Sequence, residues 1–99
     1  MKPGILYVLK NKHYEDYFKI GRTRDLKARL YHYNGASPED VVTVQYQSYP
    51  FKDSVKAERM LMTKLGKATG RLEWYDAADI DTAIDTIIYL EGLEEDNLI

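Results

Sequence analysis

Two charged residues interrupt apolar stripes on predicted helices, and they are the clearest chemical signal in this sequence. Arg29 lies three residues after Leu26 and four before Tyr33, at the edge of a helical face that should be buried. Glu58 interrupts the apolar stripe of a second predicted helix, where a carboxylate needs a cation, a metal or hydrogen bonds. The apolar residues expected to face inward are Leu26, Leu30 and Tyr33 on the first helix and Val55, Leu61, Met62 and Leu65 on the second.

This pattern leaves two interpretations open. In the first, Arg29 and Glu58 pair as a structural ion bridge, or each extends its charge to the rim of the apolar face. In the second, they line a cleft that binds a phosphate group and a metal ion. The spacing of the two residues does not decide between these interpretations.

The composition limits the kinds of site that the chain can build. Its 99 residues include no cysteine, which excludes disulfides, thiolate metal sites and a cysteine nucleophile. The two histidines, His13 and His32, are too few for a zinc site built from histidine, and both are expected to be exposed. Apolar runs are short, and the N-terminal residues lack a signal-peptide pattern. We expect one domain over residues 1–92, a short acidic tail over residues 93–99, no membrane partner and a cytoplasmic location.

The charge is distributed unevenly along the chain. The net charge is −2, yet residues 1–35 carry eight Lys or Arg and three Asp or Glu, whereas residues 76–99 carry eight acidic residues and no basic one. A basic first third could meet the phosphates of a nucleic acid, while the acidic last third favours solubility. A solvated surface of uneven charge explains the same pattern equally well.

The first half of the chain predicts a hairpin followed by a helix. Residues 5–9 and 17–21 are rich in β-forming residues on either side of a polar connection, so they should pair as antiparallel strands. Thr23 should cap a helix that runs to about residue 33, and Asn34-Gly35 supplies its C-terminal stop.

The second half predicts a strand and two more helices. Residues 41–49 alternate between apolar and polar side chains, which is typical of a half-buried strand with Val42, Val44 and Tyr46 on one face. The order β-β-α-β-α-(β)-α predicts an α/β (α+β) fold, a small, mostly antiparallel three-stranded sheet flanked by three helices. The remaining expected elements are a helix from Asp53 or Ser54 to about residue 67, a short extended piece over 72–75, and a helix from Asp76 or Asp79 with Ile80, Ala83, Ile84, Ile87 and Ile88 at helical spacing.

Four features of this order resemble the GIY-YIG nuclease superfamily. Ile5-Leu6-Tyr7 stands at the first of the two strand motifs that name the family, and Lys19-Ile20-Gly21 stands at the second, about a dozen residues later. Arg29 follows by eight residues, as the helical arginine of the family does, and Glu58 matches its metal-binding glutamate. The sequence segments KIGRT, ASPED and Glu73-Trp74-Tyr75 resemble those of a compact branch of the family that is found often in phages, the phage T5 open-reading-frame type. The resemblance covers roughly residues 4–90.

Some residues depart from the family pattern. Leu6 replaces the isoleucine of the first motif, Lys19 replaces the tyrosine of the second, and Tyr33 stands four residues after the helical arginine, where many relatives have histidine. The residues at positions 19 and 33 are similar to those of a restriction-enzyme-like branch, so they do not imply inactivity. The asparagine that other relatives carry near the end of the domain has no clear counterpart, and Trp74 or Tyr75 could fill that space.

The resemblance implies a metal-dependent endonuclease that hydrolyses nucleic-acid phosphodiester bonds, with double-stranded DNA as the expected substrate and, for a phage protein, the bacterial host cytoplasm as its location. Tyr7 would be the general base, Arg29 would stabilise transition-state charge, and Glu58 would hold one Mg²⁺ or Mn²⁺. A free tyrosine has a pKa of about 10, so a general base of this type needs a nearby cation, and Lys19 on the neighbouring strand is the candidate. Tyr33 would assist.

These residues also fit ordinary structural roles. Taken alone, a strand tyrosine such as Tyr7 or a helix-end tyrosine such as Tyr33 packs more often in a core, and a strand lysine such as Lys19 usually faces solvent. Trp74 fits a core anchor better than a platform for base stacking. The basic residues expected to contact the nucleic-acid backbone, without reading its sequence, are Lys10, Arg22, Arg24 and Lys27.

The main alternative function is a non-catalytic module that keeps the fold to bind nucleic acid or a protein. The acidic last third and the lack of an attached DNA-reading domain in this sequence support it. Tyr7, Arg29 and Glu58 together favour the nuclease, because binding alone does not require all three. A third interpretation is a structural partner subunit, in which exposed Leu98 and Ile99 pack in a homodimer.

Overall fold

Within the part of the chain that the structure describes, an antiparallel sheet of four strands forms the centre of the fold, with strand order β3-β1-β2-β4. The structure is a computed structural model that describes residues 1–35, 39–66 and 74–99. The strands are β1 (Ile5–Asn11), β2 (Tyr17–Thr23), β3 (Val42–Gln47) and β4 (Trp74–Asp76), and the helices are α1 (Leu26–Asn34), α2 (Ser54–Leu65) and α3 (Ile80–Glu95), the last preceded by a 3-10 turn over Ala77–Asp79.

The predicted fold class is confirmed, except that the sheet has four strands instead of three. The additional strand, β4, pairs with the first residues of β2. Three residues are too few for an alternating pattern to identify a strand, so only an extended piece could be predicted there. The third strand is confirmed in its alternation, since Val42, Val44 and Tyr46 are half-buried while the residues between them are exposed.

The sheet has two faces with different roles. Leu6 and Val8 of β1 and Phe18 and Ile20 of β2 belong to the main hydrophobic core, which α2 and α3 complete; we call this the core face. Alternation along a strand directs Tyr7 to the opposite side, where α1 packs towards β3. We call this second side the site face.

Polar contacts define both ends of α1. The side chain of Asp25 caps the helix by accepting a hydrogen bond from the Ala28 N–H at 3.0 Å. The prediction that Thr23 is the cap is wrong, because its hydroxyl is hydrogen-bonded to the Asp25 backbone at 3.2 Å instead. Gly35, with φ of 60°, ends the helix as predicted. No residue of α1 is fully buried. The residues expected to face inward, Leu26, Leu30 and Tyr33, are only partly buried.

The second helix presents small residues to the core. Asp53 caps α2 by accepting a hydrogen bond from the Lys56 N–H at 3.3 Å, and Gly66, with φ of 81°, ends it. The helix therefore ends at Leu65, before the predicted end at about residue 67. Residue 67 itself lies outside the described residues. Met62 was expected to face inward but is 38% exposed, because the buried residues of this helix are Ser54, Ala57 and Leu61.

The third helix buries a face that is slightly rotated from the predicted one. Ala83 and Ile87 are buried as expected, but Ile88 is 50% exposed and Leu90 packs in the core instead. The helix continues through Glu95, so residues 93–95 of the predicted acidic tail are helical.

The last residues of the chain differ in their exposure. Ile99 packs against the core, contrary to the expectation that it is exposed, whereas Leu98 is exposed as expected. Within the described ranges, no helix is both long and apolar enough to cross a membrane.

Candidate active site

The phenol of Tyr7 lies across the neighbouring strand, directly over Gly21. The two residues are partners in the register of β1 and β2, and Tyr7 is almost entirely buried on the site face. A Cβ atom added to Gly21 would lie 2.3 Å from Tyr7 Oη and 2.5 Å from its Cζ. Position 21 therefore has no room for a side chain, and its glycine allows the Tyr7 hydroxyl to reach β2.

Lys19 and Tyr33 form a cation–π contact on the same face. The register of β1 and β2 places Lys19 opposite Leu9, two residues along each strand from Gly21 and Tyr7. The Nζ atom of Lys19 lies 4.7 Å from the centroid of the Tyr33 ring, within the range in which an ammonium group is attracted to an aromatic face. This contact joins β2 to the last turn of α1.

The surroundings of Tyr33 lower the pKa of its phenol below the ordinary value. Partial burial acts in the opposite direction, but hydrogen bonds from Lys19, Tyr7 and Arg29, together with the positive charge of Lys19, outweigh it. Donors directed at a phenol oxygen favour its ionised form. The structure thus brings four of the predicted site residues, Tyr7, Lys19, Arg29 and Tyr33, to one oxygen atom; we call them the phenol cluster.

Arg29 reaches this cluster from an exposed position in the middle of α1. The prediction placed it at the edge of a buried face, but α1 buries none of its residues against the sheet. Its guanidinium group can therefore contact both the Tyr33 oxygen and a ligand from solvent. His32, in the same helix, is exposed as predicted.

The side chain of Asn34 attaches the end of α1 to β3. Its Oδ1 accepts hydrogen bonds from the Val41 and Val42 N–H groups at 3.0 and 2.8 Å, and its Nδ2 donates to the Val42 carbonyl at 3.1 Å. Because α1 has no buried residue, these bonds are a main determinant of where Arg29 and Tyr33 lie. The sequence indicates Asn34 only as part of a helix stop, since its bonding partners belong to another element.

Glu58 lies on the core side of β2, next to Arg22. Arg22 is paired with core-facing Leu6 in the register, and its Nε lies 3.7 Å from Glu58 Oε1, with both side chains partly exposed. Arg22 follows Gly21 in the chain, but consecutive residues of a strand project to opposite faces, so the contacts described for Glu58 lie on the other side of the sheet from the phenol cluster.

The donor set at Glu58 suits a hard cation that keeps much of its water. Over residues 1–35, 39–66 and 74–99, no three His, Cys, Asp or Glu side chains converge as a metal-binding group. Mg²⁺ is often bound through one or two carboxylates, with water and substrate oxygens completing its shell. A partly exposed Glu58 therefore fits a Mg²⁺ or Mn²⁺ ligand, although the Arg22 guanidinium group competes for the same carboxylate.

A comparison with protein families identifies the domain. The family model of the T5orf172 domain matches residues 4–89, a range that includes both strand motifs and both charged helical positions. The chain belongs to the T5orf172 domain family. This domain, of the phage T5 ORF172 type, is associated with GIY-YIG-like nuclease folds, and membership suggests a nuclease-like or nucleic-acid-binding role. Comparisons with curated proteins and with solved structures gave no significant match.

The basic residues predicted to contact nucleic acid are spread over three parts of this T5orf172 domain. Arg24 just precedes α1 and Lys27 lies in its first turn, and both side chains are exposed. Arg22 faces Glu58, and Lys10 Nζ donates a hydrogen bond to the Glu15 carbonyl at 2.7 Å, near the hairpin connection.

Trp74 and Tyr75 of the T5orf172 domain project to opposite faces of the sheet. Tyr75 is buried in the core, where its ring stacks on Phe18 with 5.6 Å between centroids. Trp74 is paired with Lys19 in the register of β2 and β4, so it lies on the site face and is only half-buried. A core anchor was expected at Trp74, but in the structure Tyr75 fills that place.

Proposed function

We propose that this T5orf172 domain is a metal-dependent endonuclease that hydrolyses phosphodiester bonds, with DNA as its substrate. The observation that carries the proposal is the convergence of Tyr7, Lys19 and Arg29 on the Tyr33 oxygen. Two phenols and two cations in one cluster can transfer a proton and hold an anionic phosphate group. Packing alone does not require such a combination, and the family membership supports the same role.

In this mechanism the Tyr7 hydroxyl oxygen takes a proton from the attacking water. It can do so while passing its own proton to the Tyr33 oxygen, whose pKa the Tyr7 hydroxyl helps to lower. The lowered pKa of Tyr33 raises the fraction of phenolate available to receive that proton. Lys19 stabilises the phenolate through its charge and through its contact with the ring.

Arg29 would bind the phosphate group that is cut. Its planar guanidinium group can donate two parallel hydrogen bonds to phosphate oxygens, and donors placed before the reaction stabilise the charge that develops in the transition state. Arg24 and Lys27, exposed at the start of the same helix, would contact neighbouring phosphates of the backbone.

Glu58 is the residue that would hold Mg²⁺ or Mn²⁺. When bound, such an ion supplies charge neutralisation to the phosphate and leaving oxygens. The Arg22 guanidinium group, 3.7 Å from the carboxylate, would keep Glu58 oriented towards the Gly21 end of β2.

Cleavage of supercoiled plasmid tests the proposal. We expect the full chain to nick or linearise the plasmid with Mg²⁺ or Mn²⁺ and not with EDTA, and Glu58→Gln to lower the rate by about a hundredfold or more. Glu95→Gln, which changes an exposed glutamate at the end of α3, is the matched control and should cleave like the unmodified chain. Circular dichroism shows whether each variant is folded. Cleavage that persists in Glu58→Gln would contradict the role of this residue.

A non-catalytic nucleic-acid- or protein-binding module is the second candidate. The ion pair between Arg22 and Glu58 favours it, because it gives the carboxylate a structural role that requires no metal. Plasmid cleavage measured alongside DNA affinity separates the two candidates. In a nuclease, Glu58→Gln removes turnover and leaves affinity largely intact, whereas in a binding module it changes only stability. Folded chains that bind DNA and never cleave it would favour the binding module.

A further inference from the structure

Trp74 lies beside the phenol cluster and contacts a second aromatic residue, Tyr14. The register of β2 and β4 pairs Trp74 with Lys19, and directly opposed residues project from the same face of a sheet. Lys19 in turn contacts Tyr33. Since neighbouring strands are about 5 Å apart, Trp74 lies immediately next to the cluster on the site face.

The contact between the two rings is an edge contact. Their centroids are 6.0 Å apart and their planes are inclined by 63°, so the edge of one ring lies towards the face of the other and the two rings do not stack on each other. Tyr14 is 56% exposed. Its position in the hairpin connection is held by two backbone hydrogen bonds, from Tyr14 N–H to Asn11 at 2.9 Å and from Tyr17 N–H to Tyr14 at 3.1 Å. The pair is therefore a fixed aromatic surface that is open to a ligand.

Core packing does not account for this surface. The neighbouring Tyr75 supplies the core with its ring, on the opposite face of the sheet. Aromatic rings next to basic side chains are the combination that single-stranded nucleic acids bind, because every base has a face that can stack on a ring. Lys19 is such a basic neighbour, and Arg29 contacts the same tyrosine as Lys19 does.

We propose that Tyr14 and Trp74 form a stacking platform for an unpaired base next to the phosphate that is cut. This inference rests on the proposed nuclease function and specifies its substrate, a nucleic acid with a single-stranded or bulged nucleotide at the cleavage position. In an intact duplex both faces of each base are covered by neighbouring bases, so only an unstacked base can reach the rings.

Fluorescence tests the platform directly, because Trp74 is the only tryptophan of the chain. The full chain is titrated in EDTA, which prevents metal-dependent turnover, with a single-stranded oligonucleotide, with the same sequence in a blunt duplex and with a duplex that has one bulged base. Binding is followed in parallel by the anisotropy of labelled DNA. We expect the single strand and the bulged duplex to quench Trp74 at saturation, and the blunt duplex to leave its emission nearly unchanged. Equal quenching by all three, or saturated binding without quenching, would overturn the proposal.

Substitutions test whether the ring itself provides the preference. Trp74→Leu should reduce the preference for single strand over blunt duplex about tenfold, and Trp74→Phe should retain most of it. Tyr49→Leu changes a tyrosine that is 80% exposed but lies by α3, in a groove that Glu91 also lines, and should keep the full preference. If Trp74→Leu does not fold, Tyr14→Leu provides the same comparison. An unchanged preference in the folded Trp74 or Tyr14 variant would contradict the platform.

Cleavage assays with the same DNAs separate the failure of this inference from the failure of the proposed function. Equal cleavage of bulged and blunt duplexes without quenching rejects the platform and keeps the nuclease. Quenching and a single-strand preference without cleavage reject the nuclease and keep the platform as a binding surface. Absence of binding to all three DNAs rejects both.

Discussion

Tyr7 and Gly21 face each other across β1 and β2, and the Tyr7 ring occupies the space in which a side chain at position 21 would begin. An added Cβ would lie 2.3 Å from the phenol oxygen. Sheet pairing holds the backbone of both residues, so neither can withdraw without loss of strand hydrogen bonds. The two strand motifs of this domain therefore meet in one contact, to which the first contributes Tyr7 and the second contributes Gly21.

Gly21→Ala should destabilise the protein and displace the Tyr7 hydroxyl. Overpacking of a site that cannot expand costs about 1–3 kcal/mol, and the displaced phenol would no longer reach the Tyr33 oxygen. We therefore expect a lower free energy of unfolding in urea and a loss of plasmid nicking in the fraction that remains folded.

A second glycine provides the matched control for this substitution. A Cβ added to Gly92 of α3 has no neighbour within 4 Å, so Gly92→Ala should stabilise the helix by about 0.5–1 kcal/mol and leave nicking unchanged. Tyr7→Leu removes the ring, so the cost of Gly21→Ala should be smaller in that background. An unaltered stability of Gly21→Ala in the unmodified chain would show that the contact is looser than described.

Local patterns were sufficient to predict most of the elements. The alternation of β3 and the Asn34-Gly35 stop of α1 act over a few residues, so one sequence reveals them. Where two good caps lie close together, as Thr23 and Asp25 do, only side-chain geometry decides between them. The strand β4 was not predictable, because it is defined by its pairing with β2 and has no internal pattern of its own.

The candidate site was predictable only through the resemblance to the GIY-YIG nucleases. That resemblance predicts Tyr7, Lys19, Arg29, Tyr33 and Glu58 as one group, and the structure brings the first four of them together. The pairing of Glu58 with Arg22 depends on how α2 packs on the sheet. The position of Trp74 beside Lys19 depends on strand register. Such relationships join residues far apart in the chain, and no local pattern encodes them. The chemical roles of the site residues remain predictions.

Asn34→Ala should impair activity more than its effect on folding explains. The substitution removes three hydrogen bonds that attach α1 to the start of β3, which should cost about 2 kcal/mol in the free energy of unfolding. It also releases the helix that carries Arg29 and Tyr33, so the nicking rate should fall at temperatures where the variant is fully folded. Asn34→Asp, which keeps the acceptor oxygen, should be intermediate.

The matched control for this prediction is Asn11→Ala. The Asn11 side chain accepts one hydrogen bond, from the His13 N–H at 2.8 Å in an exposed turn. Its loss should cost less than about 1 kcal/mol and leave the nicking rate unchanged. Full activity of folded Asn34→Ala would mean that other contacts position α1.

Tyr46→Phe should destabilise the protein at neutral pH and have progressively less effect in alkali. Burial first, and then the hydrogen bond to Glu91 and its negative charge, raise the pKa of Tyr46 to about 12. The folded state therefore holds this proton more tightly than the unfolded chain, whose tyrosine has a pKa of about 10. The resulting stability is complete below pH of about 10 and is lost as the pH rises to about 12.

Urea unfolding of Tyr46→Phe and of the unmodified chain, from neutral to strongly alkaline pH, checks this prediction. We expect a difference of about 1 kcal/mol at neutral pH that decreases as Tyr46 ionises. Tyr89→Phe, at an exposed tyrosine of α3, is the control and should differ little from the unmodified chain. A difference that stays constant with pH would show that the hydroxyl of Tyr46 does not titrate in this way.

Tyr33 should ionise at a lower pH than a free tyrosine. Partial burial alone would raise the pKa of Tyr33. The hydrogen bonds from Lys19, Tyr7 and Arg29 and the charge of Lys19 together lower it by more, so the net shift is downward. The ionised form is therefore favoured by folding. It contributes stability above the ordinary pKa of about 10, and this contribution is lost as the pH falls through the pKa of the folded state.

The ultraviolet absorbance of phenolate measures this ionisation. The chain has nine tyrosines, so the difference between titrations of the unmodified chain and of Tyr33→Phe isolates the signal of one residue. Lys19→Met removes the nearest charge from the ring, so it should raise the pKa of Tyr33. If the Tyr33 oxygen receives the proton during catalysis, the rise of the nicking rate with pH should move to higher pH in Lys19→Met by the same amount as the phenolate titration. A shift of the titration without a shift of the rate profile would remove Tyr33 from the proton path and leave it a role in packing alone.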